Sequence, residues 1–194
     1  MPDFLFYVKL GLDHVLDFNA YDHILFLTAL ALPFTFEQWK PVVVLATVFT
    51  VAHCLSLALS VYNVVVMDVG WIEFLIPVTI LLTAVFNLFY LKAKKEHKSL
   101  LLHGIATAFF GLIHGFGFSN YFKMLMAEET DKLTPLIGFA TGIEVSQVLI
   151  VLTVLVLAYV IQSIIKVKQP VFVVAASIFI IFLTIPMLIE TYPL

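Results

Sequence analysis

Apolar residues run almost unbroken along this chain, and short clusters of charge, proline or glycine interrupt them at intervals close to one bilayer thickness. With about 20 apolar residues needed per crossing, the runs at 20–36, 41–63, 71–91, 99–119, 134–162 and 171–190 predict six membrane-spanning helices. Strands are excluded, because a spanning sheet must close into a barrel whose strands alternate polar and apolar positions, and these runs do not alternate. The interruptions are "EQWKP" (37–41), "VVVMDVG" (64–70), "KAKKEHK" (92–98), "AEETDKL" (127–133) and "KVKQP" (166–170). None is long enough to separate two domains, and no repeat or low-complexity tract intervenes. Residues 1–194 therefore predict a single transmembrane domain of the all-α class, a polytopic membrane helix bundle.

Composition agrees with the pattern. The chain is 62% hydrophobic and 12% charged, with a mean hydropathy of +1.10, too apolar for a water-soluble domain of this length, so the lipid bilayer is its expected surrounding. The ten positive charges are all lysine, and thirteen acids leave a net charge of −3, which excludes a nucleic-acid partner. Lysine also orients the bundle. Lys40, Lys92, Lys94, Lys95, Lys98, Lys166 and Lys168 fall in the first, third and fifth loops, against Lys9, Lys123 and Lys132 on the other side. This asymmetry predicts a multi-pass protein of the inner (cytoplasmic) membrane with both termini outside. The amino terminus, "MPDFLFYVKLGLDH", lacks the basic region, apolar core and cleavage site of a secretory signal, so Met1 is expected to stay near the mature start. Cys54 stands alone, which removes an intrachain disulfide and a thiolate metal site.

Depth along the expected helices, at about 1.5 Å per residue, gathers ionisable groups toward one side of the bilayer. Asp22 and His23 fall at the outer end of the first segment, His53 past the middle of the second, Glu73 at the outer edge of the third, His114 near the outer end of the fourth, and Glu144 within the outer half of the fifth. A single intramembrane histidine can simply link two helices by a hydrogen bond. Glu73 and Glu190 stand near helix ends where headgroups suffice, and His97 belongs to a lysine-rich loop. Glu144 is different: a charge at that depth costs about 3 kcal/mol on insertion scales, and with no lysine at its level its expected partners are the histidines or a metal ion.

Spacing strengthens the convergence. His53, Ser56 and Ser60 form one helical stripe, and Thr141, Glu144 and Gln147 form another. His103 and His114 are eleven residues apart, close to three turns, and look the same way. In "FFGLIHGFGFSN" (109–120), His114 is flanked by Gly111, Gly115 and Gly117, small residues that let neighbouring backbones approach. "HVLDFNAYDH" (14–23) sets His14, Asp17, Asp22 and His23 at the entrance to the first segment, where a turn could fold the first pair over the second. Asp22 and His23 point about 100° apart on a regular helix, so one projects inward and the other can orient a ligating imidazole.

Imidazole with carboxylate suits a divalent transition metal such as nickel, cobalt, zinc or iron(II). Two function classes stay open on these residues. A permease would capture the ion at the outer ligands and pass it toward His103 and Asn87 as an inner pathway. A membrane-embedded metal-dependent hydrolase would act on a lipid or peptide with metal-activated water and Glu144 as general base.

"YDHILFLTALAL", "TVFTVAHCLSLALS", "FGLIHGFGFSN" and "TGIEVSQVLIV" together resemble the HupE/UreJ family of small polytopic membrane proteins, nickel and cobalt permeases linked to hydrogenase and urease maturation. The resemblance implies that His14, Asp22 and His23 correspond to the family's first metal motif, and His53, His114 and Glu144 to its later intramembrane polar positions. The chain departs from the pattern in one stretch: seven residues, Val15 to Tyr21, separate His14 from Asp22 where the family usually has five, and Ala20 and Tyr21 replace its usual glycine. The resemblance favours transport over hydrolysis. Six helices leave little room for a pore within one chain, which fits a homo-oligomer.

Overall fold

A computed structural model of the chain describes residues 4–18, 20–90, 100–127 and 129–193; these contain α-helices and one 3-10 turn, with no strand among them. The helices are α1 (Phe4–Val15), α2 (Asp22–Ala31), α3 (Trp39–Val61), α4 (Val69–Tyr90), α5 (Leu100–Leu125), α6 (Leu133–Ile164) and α7 (Gln169–Glu190), with the 3-10 turn Phe36–Gln38 leading into α3. Five stretches, α3 with its leading turn and α4 to α7, are long and apolar enough to cross a bilayer. The chain is therefore an all-helical, multi-pass membrane protein. Lys92, Lys94, Lys95, His97 and Lys98 lie outside the described residues.

The helix expected over 20–36 does not form as one span. Pro33 has no backbone N–H, so the Ala29 carbonyl four residues earlier loses its helical donor, and α2 stops at Ala31. Asn87 of α4 fills the vacancy: its Nδ2 donates to the Ala29 carbonyl at 2.7 Å. The chain then turns, with the Phe34 amide on the Ala31 carbonyl at 3.1 Å and the Thr35 amide on Gln38 Oε1 at 3.1 Å.

Residues 4–15, read from the sequence only as lacking a signal, form the additional helix α1. It runs beside the first half of α6 in the same direction: the Phe4 backbone faces Gly138, Val8 and Leu12 face Gly142, and Ser146 Oγ lies 3.5 Å from the Leu12 carbonyl. Beyond a break between Val15 and Asp22, α2 continues along α6 and ends by the start of α7, where Gln169 Nε2 donates to the Pro33 carbonyl at 3.3 Å. The two short helices thus follow one another through the bundle.

α2 is apolar on nearly every side and buried on nearly every side, from His23 through Leu25, Phe26, Leu27 and Ala29 to Ala31, as a helix without a polar face must be. α7 instead exposes Val171, Ile178, Phe179, Phe182, Ile185 and Ile189, the surface that a bilayer would cover. Asp131 caps the start of α6, accepting the Leu133 amide at 2.9 Å.

Glycine sets the closest helix contacts. A Cβ added at Gly142 would overlap the Val8 carbonyl oxygen, and one at Gly11 would overlap that of Phe139, so α1 and α6 meet backbone to backbone. α5 meets α3 in the same way: a Cβ at Gly115 would overlap the His53 carbonyl and the Ser56 hydroxyl, and one at Gly111 would stand 2.7 Å from the Phe49 carbonyl. At Gly104 an added Cβ meets nothing within 4 Å. Gly142→Ala should therefore destabilise the bundle by about 1–3 kcal/mol through overpacking, whereas Gly104→Ala should be neutral or stabilising. Thermal denaturation of the two variants in detergent reads the difference.

Candidate metal centre

Four histidines meet where α1 ends and α2 begins. His14 occupies the last turn of α1 and His23 the first turn of α2, while α3 and α5 bring His53 and His114 from their middles. Ring centroids are 4.7 Å apart for His14 and His23, 5.7 Å for His14 and His53, 5.6 Å for His23 and His53 and 5.3 Å for His23 and His114. The seven-residue spacing between His14 and Asp22 thus does not keep the first histidine away: across the break between α1 and α2 its ring lies against that of His23.

The nitrogens of this cluster are poorly satisfied by the protein. The Nε2 atoms of His14, His23 and His114 and both ring nitrogens of His53 are buried without a hydrogen-bond partner among the described residues. A buried polar group left unpaired costs about 1–3 kcal/mol, so such a concentration in one place marks a site built for something that binds nitrogen lone pairs. The partners that do exist leave Nε2 available. His114 Nδ1 donates to the Phe110 carbonyl at 2.9 Å, and His23 Nδ1 donates to Asp22 Oδ1 at 3.0 Å. Asp22 Oδ1 also accepts the His23 backbone amide at 2.8 Å, so this carboxylate holds the imidazole in its orientation. A carboxylate behind a histidine fixes the tautomer and strengthens the ligand.

Ligand atoms from His14, His23 and His53 lie within 4.8 Å of one another. Tetrahedral coordination at about 2.0–2.1 Å per bond needs nitrogens about 3.4 Å apart, so closure by about an ångström would seat a metal ion. An all-nitrogen set of this kind suits a divalent transition metal and not magnesium or calcium. Phenylalanines wall the cluster: Phe118 lies 4.0 Å from the His14 ring, and Phe49 and Phe26 lie 5.1 Å and 5.3 Å from that of His114. They offer the imidazoles no polar alternative.

The remaining candidates are placed elsewhere. Both Glu144 oxygens are taken by hydroxyls of α3, Oε1 by Thr47 at 2.6 Å and Oε2 by Thr50 at 2.5 Å; the partners foreseen for this carboxylate were histidines or a metal. Glu73 and Glu190 are exposed, so Glu73 does not join the convergence, and Asp17 lies half-buried in the break. His103 is buried between Phe34, at 6.1 Å, and Phe86, at 5.3 Å. It lines a cavity of about 270 Å³ whose wall includes Phe26, Leu30 and Phe110. Asn87 is committed to the α2 carbonyl described above. Thr47 and Thr50 were missed by the sequence reading, although they stand six and three residues before His53, on the helix that carries it.

Loss of the orienting carboxylate should show directly. Asp22→Asn keeps the shape but removes the charge behind His23, and metal affinity should fall about 10–100-fold. Isothermal titration of the purified protein with Ni(II), Co(II) and Zn(II) measures it; unchanged affinities would remove Asp22 from the site.

No curated protein and no solved structure matches the chain. A family profile described as HupE / UreJ protein matches residues 1–191. With a buried histidine cluster held inside a bundle of apolar helices and a match over nearly its whole length, the chain belongs to the HupE / UreJ protein family.

Proposed function

We propose that the protein is a divalent transition-metal permease of the nickel or cobalt class, with His14, His23, His53 and His114 as the ligands that take the ion and Asp22 behind them. The observation that carries this reading is the set of buried, unpartnered imidazole nitrogens at the junction of two half-length helices. α1 and α2 hold 12 and 10 residues, about 18 Å and 15 Å at 1.5 Å per residue, and end to end they match one bilayer crossing of about 30 Å. They supply the sixth span, with both termini outside and the lysine-bearing loops cytoplasmic, in the inner membrane. Discontinuous helices that meet at a buried site are a recurrent device of transporters: the carbonyl end of one half attracts a cation, and the break gives the site a hinge. The reading also rests on the family's association with nickel and cobalt. A hydrolase would need a base aimed at metal-bound water, and the Glu144 carboxylate is occupied by two hydroxyls instead.

Proteoliposomes loaded with a metal-sensitive dye test the proposal. Wild type should admit Ni(II) or Co(II), and His114→Ala and His53→Ala should each reduce entry at least about tenfold while the protein stays folded, since each removes a ligand. Protons compete with metal for imidazole, so affinity should fall as the pH is lowered and recover as it is raised. Entry that is indifferent to both substitutions and to acidification would overturn the reading.

A further inference from the structure

Glu144 of α6 is a half-buried carboxylate that the histidine site does not use, and the hydrogen-bond partners of both its oxygens are hydroxyls of α3. Thr47 Oγ1 and Thr50 Oγ1 contact its two oxygens at 2.6 Å and 2.5 Å, and Gln147 Oε1 lies 3.2 Å from the Thr50 hydroxyl. At these separations each carboxylate oxygen accepts a hydrogen bond from a hydroxyl. Each hydroxyl also has a second acceptor on its own helix: the Val43 carbonyl lies 3.1 Å from Thr47 Oγ1, and the Ala46 carbonyl lies 3.2 Å from Thr50 Oγ1.

We infer that Glu144, with Thr47 and Thr50, is a proton-binding site separate from the histidine cluster, and that its proton is exchanged against the charge of the metal ion. When the carboxylate is ionised, both threonines donate to it. When it is protonated, its O–H donates to one threonine, and that hydroxyl turns its own hydrogen to the carbonyl four residues back. The other threonine goes on donating to the second carboxyl oxygen. Both states keep the two hydrogen bonds between the carboxyl group and the threonines, so the local cost of gaining or losing the proton is chiefly that of the charge itself. Thr50 and His53 are three residues apart on α3, one face and about 4.5 Å of rise. The ionised carboxylate therefore stands close to the ion it would balance.

The exchange rests on the permease reading above. A dication among neutral imidazoles and the single carboxylate of Asp22 leaves one uncompensated positive charge inside hydrocarbon, where unpaired charge is costly. As the ion enters, the Glu144 O–H bond breaks, the electron pair stays on the carboxylate and the proton leaves to bulk water. As the ion departs, the proton returns. Other titratable groups on the elements packed against α6 do not take this part. Cys54 of α3 is the group that interacts electrostatically with Glu144. Lys9 and Asp13 of α1 pair with each other, and Tyr7 of that helix is packed edge-on to Phe122. Glu37, Lys40 and Glu190 stand at helix ends; His14, Asp22, His23 and His53 belong to the cluster.

Infrared spectroscopy of the purified protein in lipid nanodiscs tests both halves. In metal-free protein, a carbonyl stretch of a protonated carboxyl should titrate with pH, vanish in Glu144→Gln, shift in Thr50→Val and survive in Asp22→Asn. A band indifferent to Glu144→Gln would overturn the site. On addition of Ni(II), wild type should lose this band and release about one proton more per bound ion than Glu144→Gln does at the same pH. Stoichiometric Ni(II) binding with the band unchanged would overturn the exchange. If Ni(II) fails to bind wild type at all, the reading of the histidine cluster fails and the exchange falls with it, while the metal-free band still decides whether Glu144 carries the proton.

Discussion

Imidazole nitrogens buried among phenylalanines, five of them without a hydrogen-bond partner among the described residues, are the constraint on which the rest of this structure depends. In an apolar interior an unpaired polar atom is penalised because water cannot reach it, and among the described residues no hydrogen-bond partner meets His14 Nε2, His23 Nε2 or either ring nitrogen of His53. What the protein supplies instead is proximity of imidazoles to one another. That arrangement leaves the lone pairs unsatisfied and close to one another. The close backbone contacts follow from the same demand, because His53 and His114 meet at the centre only if α3 and α5 touch through Gly111 and Gly115.

The interruption between α1 and α2 is the second consequence. Backbone outside a helix is tolerated at membrane depth only where protein covers it or it lines a cavity, and here both ends of the break are covered: Val15 before it and His23 after it are buried, while Phe18 within it is exposed. Breaking the helix also exposes its ends. The start of α2 is met by the Asp22 carboxylate, a favourable charge at a helix amino terminus, which in the same geometry steers His23. One side chain thus stabilises the restart of the helix and orients a ligand.

Nitrogen and oxygen donors are segregated across α3. One turn carries Thr47 and Thr50 toward Glu144 on α6; the next carries His53 toward the cluster. The two donor sets are thus separated along one helix, hydroxyls facing the acid on one turn and an imidazole facing the other histidines on the next.

Much of this was legible in the chain. Hydropathy alone fixed the helical class and membrane setting, because a long apolar run has no other stable form in lipid, and the ends of α3 to α7 follow from charge, proline and glycine. Residue type and spacing also picked out His14, Asp22, His23, His53 and His114. What only the tertiary structure decided is how partners are shared. A window of about 20 residues averages away two half-length helices, so α1 and the break were hidden and His23 read as a ligand at the outer end of one longer span. Asn87 read as a pathway residue, but Pro33, 54 positions earlier, frees the carbonyl that its amide answers. Glu144 read as a partner of histidines because local periodicity ranks residues by depth and face, whereas hydrogen bonds are chosen by which helix lies alongside. That neighbour is the Thr47 and Thr50 face of α3, and no pattern within α6 encodes it.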